Sequence, residues 1–130
     1  MGRPMTAQTI LVVEDEALVG MELQEGLVRL GYLVPEVLSR GEEVLCALER
    51  LSPDLILMDI RIAGAFDGSQ VATLVRRVSN VPVVFLTAYG DPATLARVAI
   101  VDPAGYLAKP FGEAELAHSV ALALAKPRAS

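Results

Sequence analysis

Three short runs in this chain contain only apolar residues, and each is shorter than a typical helix. They are residues 10–13, 55–58 and 83–86. Several of their side chains are β-branched, and continuous apolarity over so few residues is typical of a strand covered on both faces, as in a parallel sheet. Two weaker runs, residues 34–38 and 105–108, can each supply a further strand. The sequence therefore predicts five short strands.

The stretches between these runs carry apolar residues at intervals of three and four, which predicts helices. In the first stretch Leu23 and Leu27 have this spacing, and Gly31 stands where a helix commonly ends. Asp91-Pro92 is a start signal for a fourth helix, because a capping side chain precedes proline. Five strand–helix units predict an α/β fold, a doubly wound, flavodoxin-like parallel sheet of order 2-1-3-4-5 with five helices.

Length and composition favour one domain. The chain has 130 residues and shows no repeat or long linker, so we expect a domain over residues 8–126 with short tails at 1–7 and 127–130. Eleven basic and sixteen acidic residues give a net charge of −5, which disfavours nucleic acid and anionic membrane surfaces as partners. The single cysteine and the absence of a long apolar run favour a cytoplasmic location.

Four of the five predicted strands end in a reactive side chain. The first strand leads to Glu14 and Asp15, the third to Asp59, the fourth to Thr87 and the fifth to Lys109. In a doubly wound sheet the ligand site lies beyond the carboxyl ends of the strands. We therefore expect these five side chains to share one pocket.

The residue types in this pocket suit phosphoryl transfer. Two carboxylates about 4 Å apart repel by roughly 4 kcal/mol at an effective dielectric constant near 20, and a hard cation such as Mg²⁺ relieves that repulsion. The Lys109 ammonium and the Thr87 hydroxyl can bind phosphate oxygens. Asp59 follows the most central strand and is the predicted nucleophile, whereas the adjacent Glu14 and Asp15 fit metal ligands better.

These segments resemble the receiver domain of bacterial two-component response regulators, including stand-alone receivers. The resemblance extends from about Thr9 to about Ala125. The matching segments are residues 10–16 (ILVVEDE), 55–59 (LILMD), 87–88 (TA) and 105–111 (GYLAKPF). Both a stand-alone receiver and a segment of a larger regulator or hybrid kinase fit this pattern.

The resemblance assigns the phosphorylation and metal sites. Asp59 matches the phosphorylated aspartate of the family, and Glu14 and Asp15 match the acidic pair that holds Mg²⁺. Receivers also use the backbone carbonyl two residues after the aspartate as a metal ligand, which here belongs to Arg61. Mg²⁺ is therefore the expected cofactor.

The resemblance also assigns the phosphate-binding and switch positions. Thr87 matches the switch hydroxyl, with Ala88 beside it, and Lys109 matches the phosphate-binding lysine. Tyr106 matches an aromatic residue that turns inward when the switch hydroxyl moves, although an ordinary core position is the alternative. The bond between Lys109 and Pro110 is expected to be cis.

The family implies protein partners at two places. The phosphodonor is expected to be a histidine kinase or a phosphotransfer protein. A downstream protein is expected on the face formed by the fourth helix, the fifth strand and the fifth helix. Such a domain is a signalling module that catalyses its own phosphorylation and dephosphorylation, either as a monomer or as a phosphorylation-dependent dimer.

The sequence departs from the family pattern beside the aspartate. The loop over residues 60–68 lacks the usual proline and is one residue longer than in the family, so the family pattern does not predict its conformation. Arg61 and Tyr89 are bulky at positions that flank the hydrolytic water in the family, and we therefore expect slow autodephosphorylation.

Other functions fit the sequence less well. A nucleotide hydrolase would need a Gly-x-x-x-x-Gly-Lys-Ser/Thr loop, and a haloacid-dehalogenase-type phosphatase would need an acid at Arg61. A flavodoxin-like cofactor binder would need a phosphate-binding loop where acidic residues follow the first strand. A degenerate receiver that only docks partners remains an alternative. His118 is predicted to be a surface residue and Cys46 to be packing in the core.

Overall fold

The computed structural model describes residues 7–62, 67–88, 96 and 99–126. This part of the chain contains a five-stranded parallel sheet. The strands are β1 Ile10–Val13, β2 Val37–Leu38, β3 Leu55–Asp59, β4 Val83–Ala88 and β5 Gly105–Lys109. Their order in the sheet is β2-β1-β3-β4-β5, so the predicted fold class and strand order are confirmed.

Four α-helices lie in the described ranges. They are α1 Ala17–Arg29, α2 Val44–Leu51, α3 Gly68–Val78 and α4 Glu113–Ala125. Helix α4 is the last of the five predicted helices. The predicted start at Asp91-Pro92 lies outside the described residues, and of the stretch that follows it Ala96 is described and is helical. No helix in the described ranges is long and apolar enough to cross a membrane.

The two faces of the sheet form two separate apolar layers, because successive side chains of a strand point to opposite sides. Phe85 and Ile56 lie in the layer that includes side chains of α2 and α3. Leu57 and Val84 lie in the layer that includes side chains of α1 and α4. Every residue of β1 is fully buried. Burial on both faces explains why β1, β3 and β4 have almost no polar residues before their ends.

Strand β2 is shorter than the sequence suggested. Pairing with β1 covers only Val37 and Leu38, whereas the predicted run began at Val34. Pro35 interrupts the run, and proline has no N–H to donate to a neighbouring strand. An isolated bridge between Thr9 and Leu33 lies before the interruption.

Helix α1 ends just before Gly31, as the sequence predicts. Gly31 has φ of 101°, a left-handed conformation that glycine adopts without a steric penalty. Its N–H donates to the carbonyl of Val28 at 3.0 Å, and Tyr32 N–H donates to Leu27 O at 3.1 Å. These bonds satisfy carbonyls at the end of the helix and turn the chain toward β2.

His118 and Cys46 lie outside the site, and the sequence predicts the first to be exposed and the second to pack in the core. His118 is exposed on α4, as expected. Cys46 is also exposed, so its predicted role as core packing is wrong. The buried positions of α2 are Val44 and Ala47, and Cys46 lies on another side of this short helix.

Candidate functional site

Three carboxylates meet at the carboxyl edge of the sheet. Glu14 follows β1 and Asp59 ends β3, and these strands are neighbours with Val13 opposite Met58. One oxygen from each of Glu14, Asp15 and Asp59 can be chosen so that all three lie within 4.8 Å of one another. Glu14 is 2% exposed and Asp59 8% exposed, whereas Asp15 is open to solvent. Two of the three carboxylates are therefore held largely out of water.

Lys109 brings a positive charge to this group from β5. Its Nζ lies 2.6 Å from Asp59 Oδ2 and 2.9 Å from Glu14 Oε1. A third carboxylate oxygen, Glu16 Oε1, lies 3.6 Å away. One ammonium thus lies among several carboxylates, and a single positive charge cannot neutralise them all.

The burial and the charges shift two pKa values. Burial raises the pKa of Glu14 to about 7, and the Asp59 charge adds to that effect, while Lys109 and the Glu16 N–H act in the opposite direction. Partial burial lowers the pKa of Lys109, but Asp59 and Glu14 more than offset it, so the net shift is upward. Lys109 therefore remains a cation at neutral pH.

One oxygen of Glu14 is suited to a metal ion. Glu14 Oε2 accepts a hydrogen bond from Glu16 N at 3.1 Å. Within the described residues Glu14 Oε1 is buried and accepts no well-directed hydrogen bond, although the Lys109 ammonium lies 2.9 Å away. The single Lys109 ammonium is shared with Asp59, so it offsets only part of the repulsion among the three carboxylates, and a hard divalent cation with oxygen ligands relieves the rest. The donor set fits Mg²⁺.

The backbone after β3 orients the Asp59 carboxylate. Arg61 N–H donates to Asp59 Oδ1 at 3.0 Å, so one oxygen of Asp59 contacts the loop and the other contacts Lys109. The Arg61 residue is exposed. Its predicted role as a metal ligand through the backbone carbonyl stays a prediction.

Strand β4 lies between Asp59 and Lys109. Thr87 is 8% exposed and opposite Ala108, and Ala88 is opposite Lys109. Strand β4 is longer than the apolar run in the sequence, so Thr87 and Ala88 lie within the strand rather than after it. Thr87 is thus at the same edge of the sheet as the three carboxylates.

Tyr106 lies on β5 and is 41% exposed. Its ring stacks with Phe85 on β4, with centroids 6.3 Å apart and planes 27° apart. The alternative that Tyr106 is an ordinary core residue does not fit this exposure. The Lys109–Pro110 peptide bond is cis. Tyr89 and residues 63–66 of the long loop lie outside the described residues.

Two residues at this edge were not singled out from the sequence. Glu16 directly follows the acidic pair and reaches Lys109, and its position in the run Glu14-Asp15-Glu16 was the available signal. Gly68 begins α3 and packs against the backbone of Asp59 and Ile60. The sequence gives less indication that Gly68 belongs to the site, because Asp67-Gly68 predicts only the start of a helix.

Comparison with known families identifies the class of this domain. The model of the response regulator receiver domain matches residues 10–121. The chain belongs to this family. It is a receiver domain of two-component signalling, a class of signalling domains in which an aspartate serves as phosphoacceptor.

Two curated relatives illustrate the range of the family. The transcriptional regulatory protein PdtaR of Mycobacterium tuberculosis is 32% identical over 119 residues, which cover 92% of this chain and 58% of PdtaR. The phyllosphere-induced regulator PhyR of Methylorubrum extorquens is 36% identical over 119 residues, which cover 91% of this chain and 44% of PhyR. The chain thus spans about half the length of these relatives.

Solved structures show the same architecture. The signal receiver domain of a modulated diguanylate cyclase from Desulfovibrio desulfuricans has a TM-score of 0.85 at 37% identity, covering 91% of this chain and 94% of that one. The N-terminal domain of a response regulator/sensory box/GGDEF protein from Carboxydothermus hydrogenoformans has a TM-score of 0.82 at 36% identity, covering 90% and 94%. Both similarities extend over most of each chain.

Proposed function

We propose that Asp59 accepts a phosphoryl group from a phosphohistidine of a partner histidine kinase or phosphotransfer protein. The observation that carries this proposal is the position of the Asp59 carboxylate. It lies at the carboxyl edge of the sheet, near Glu14 and Asp15, and contacts the Lys109 ammonium at 2.6 Å in a chain of the receiver family. A nucleophile beside a cation, with two further acids nearby, suits attack on phosphorus.

The acidic residues have a second role in the proposal. Glu14, Asp15, Asp59 and the backbone carbonyl of Arg61 would hold Mg²⁺. When bound, this ion neutralises negative charge on the carboxylates and on the transferring phosphoryl oxygens. The cluster of three carboxylates, with one ammonium shared between Glu14 and Asp59, supports this assignment.

The transfer exchanges one bond for another. An Asp59 oxygen attacks phosphorus, an O–P bond forms, and the P–N bond to the donor histidine breaks. The electron pair of that bond stays on the imidazole nitrogen, which takes a proton from solvent. Lys109 then exchanges its contact with Asp59 Oδ2 for a phosphoryl oxygen, while the Thr87 hydroxyl, beside Ala88, donates to another. The free carboxylate is regenerated by hydrolysis, in which a water oxygen bonds to phosphorus, the O–P bond to Asp59 breaks and inorganic phosphate leaves.

Phosphorylation would be read out through a change in shape. Thr87 moves toward the new oxygens, and Tyr106 leaves its exposed position and turns inward. These movements change the conformation of the face formed by the predicted helix after β4, by β5 and by α4. A downstream protein docks on this face. The net charge of −5 favours a protein over nucleic acid or an anionic membrane at this face. Monomer and phosphorylation-dependent dimer are both compatible with this output.

Labelling with a small phosphodonor tests the proposal directly. Incubation of the purified chain with acetyl phosphate and Mg²⁺ should add the mass of one phosphoryl group to the wild type and none to Asp59→Asn. Chelation of the metal should abolish the gain. The control Asp54→Asn makes the same chemical change at the opposite edge of the sheet and should label like the wild type.

Each other outcome contradicts a part of the proposal. A wild-type mass that stays unchanged would indicate an interaction module that is not phosphorylated. Equal labelling of wild type and Asp59→Asn would place the phosphoryl group on another residue. Labelling that persists with a metal chelator would argue against the cation site.

A further inference from the structure

Gly68, the first residue of α3, lies in direct contact with the end of β3. It is buried, and its N–H donates to Ile60 O at 2.6 Å. A Cβ atom at this position would lie 2.7 Å from Ile60 Cα and 2.8 Å from Ile60 O, and it would be still closer to Asp59 O. Real Cβ atoms essentially never make such contacts. All three neighbours are backbone atoms, so no side-chain rotation can make room.

The backbone on the other side of this contact is held by the sheet. Asp59 is opposite Leu86 in the register of β3 and β4, and Ile60 N–H donates to Leu86 O at 3.2 Å. The end of β3 is therefore bonded to β4 on one side and packed against Gly68 on the other. A displacement here would also move Arg61, whose N–H orients Asp59 Oδ1.

The start of α3 is held equally firmly. Asp67 caps the helix, because its Oδ1 accepts from Gln70 N at 3.0 Å and from Ser69 Oγ at 2.7 Å. In return Gln70 Oε1 accepts from Asp67 N at 2.9 Å, which completes a capping box. With the helix start and the strand end both fixed, an added side chain at Gly68 has to displace one of them.

We propose that Gly68 is a positioning residue for Asp59. The missing side chain lets α3 begin against the backbone of β3, and this contact fixes the segment in which Arg61 orients the nucleophile. Gly68 acts through Asp59 and Arg61 and touches no reacting atom itself. This inference rests on the proposed function, because it assigns the residue that sets the geometry of phosphoryl transfer and of the Arg61 carbonyl.

Substitution Gly68→Ala tests the inference. Misplacement of a reacting group by about 1 Å can reduce a rate about 100-fold, so labelling by acetyl phosphate should slow by about 10- to 100-fold. A second readout does not depend on the reaction. The Mg²⁺ dissociation constant should rise by roughly tenfold, because changing groups that orient metal ligands typically weakens metal binding by that order. In the metal-free protein the amide NMR signal of Arg61 should shift.

Two control variants separate positioning from general stability. Asp67→Ala removes the capping box and weakens the same helix end, but keeps the close approach at Gly68, so labelling and Mg²⁺ affinity should stay within about twofold of wild type. Gly26→Ala adds a Cβ in α1, where it would meet the ends of two side chains, Leu116 Cδ2 at 3.2 Å and Arg29 Nη2 at 3.8 Å, and it should label normally.

The outcomes distinguish this inference from the proposed function. If wild type labels and Gly68→Ala labels at the same rate, the inference is wrong and the proposed function stands. If Asp67→Ala reproduces the loss, Gly68 supports only the helix and the inference is also wrong. If the wild type does not label, the proposed function itself fails.

If Gly68→Ala does not fold, hydrogen exchange and NMR of the wild-type protein test the inference instead. The Gly68 amide should be protected from hydrogen exchange by its bond to Ile60 O, and its NMR signal should respond to Mg²⁺ together with that of Arg61. A rapidly exchanging Gly68 amide that does not respond to Mg²⁺ would overturn the inference.

Discussion

The two edges of the sheet, at the amino ends and at the carboxyl ends of the strands, differ in what their polar side chains contact. At the amino edge these side chains bind the backbone. Asp54 Oδ2 accepts from Thr9 N at 2.8 Å, and Arg76 Nη1 donates to Val81 O at 2.9 Å and to Ser79 O at 3.2 Å. At the carboxyl edge Asp59 and Glu14 each accept one backbone N–H, but their second oxygens contact another charged side chain, Lys109.

The contacts at the amino edge mainly stabilise the fold, whereas the contacts between charged side chains at the carboxyl edge can be exchanged for contacts with a ligand. A hydrogen bond between a side chain and a buried backbone group removes an unsatisfied donor or acceptor and stabilises the fold. Charged groups that contact one another in a partly buried cluster can change partners when a cation or a phosphoryl group arrives. Substitutions at the amino edge should therefore change stability alone, and those at the carboxyl edge should change reactivity as well.

The largest effect is expected from Lys109→Met, which keeps the apolar stem of the side chain and removes the charge. Glu14 and Asp59 would then lie together without their ammonium, and removing one partner of a buried pair costs about 3 kcal/mol of the free energy of unfolding. Labelling by acetyl phosphate should fall at least about tenfold. Urea denaturation without metal measures the loss, and added Mg²⁺ should restore part of it.

Lys126→Met is the matched control for this prediction. Lys126 Nζ donates to Ala104 O at 3.0 Å in an exposed position, so its loss should leave labelling unchanged. An unchanged urea midpoint for Lys109→Met would show that the ammonium does not compensate the carboxylates.

A smaller effect is expected from Asp54→Ala at the amino edge. The change leaves the Thr9 N–H without its acceptor, which should lower the free energy of unfolding by about 1–2 kcal/mol. Labelling at Asp59 should stay normal, and Asp54→Asn, which keeps an acceptor oxygen, should retain most of the stability. Slower labelling of folded Asp54→Ala would show that the two edges are not independent.

The smallest effect is expected from Asp59→Asn on the metal-free protein. The change removes one of three clustered carboxylates, and Lys109 keeps Glu14 as its partner. Relief of repulsion should outweigh the lost ion pair and raise the free energy of unfolding by up to about 1 kcal/mol. Thermal melting in a chelating buffer measures this, with Asp54→Asn as the control that should not stabilise. A lower melting temperature for Asp59→Asn would mean that its pairing with Lys109 dominates.

Much of the site could be anticipated because parallel strands align their carboxyl ends. Once the apolar runs were read as strands, Glu14, Asp59 and Lys109 had to lie at one edge, although they are far apart in the chain. The distances among them could not be anticipated. Lys109 reaches Asp59 across β4 and Glu14 across β4 and β3, and this depends on the register of β5 and on the length of the lysine side chain.

The errors have local causes. The sequence predicts Cys46 in the core because it lies beside apolar positions, but the short helix α2 buries Val44 and Ala47 and leaves Cys46 exposed. The apolar run predicts a β2 of five residues, but Pro35 limits its pairing to Val37 and Leu38. In α2 a shift of one residue decides which side chain meets the core, whereas in β2 the proline decides where backbone pairing begins and Val34 is still buried.

The sequence by itself determined the presence and order of the five strands, the bounds of all but β2 to within two residues, and the reactive residues at the strand ends. These features depend on local apolar patterns and on the rule that parallel strands share a direction. Only the tertiary structure decided the close approach of Gly68 to Asp59 and the exposed stacking of Tyr106 on Phe85. Such contacts depend on the path of loops and on packing between elements, and no pattern of neighbouring residues encodes them.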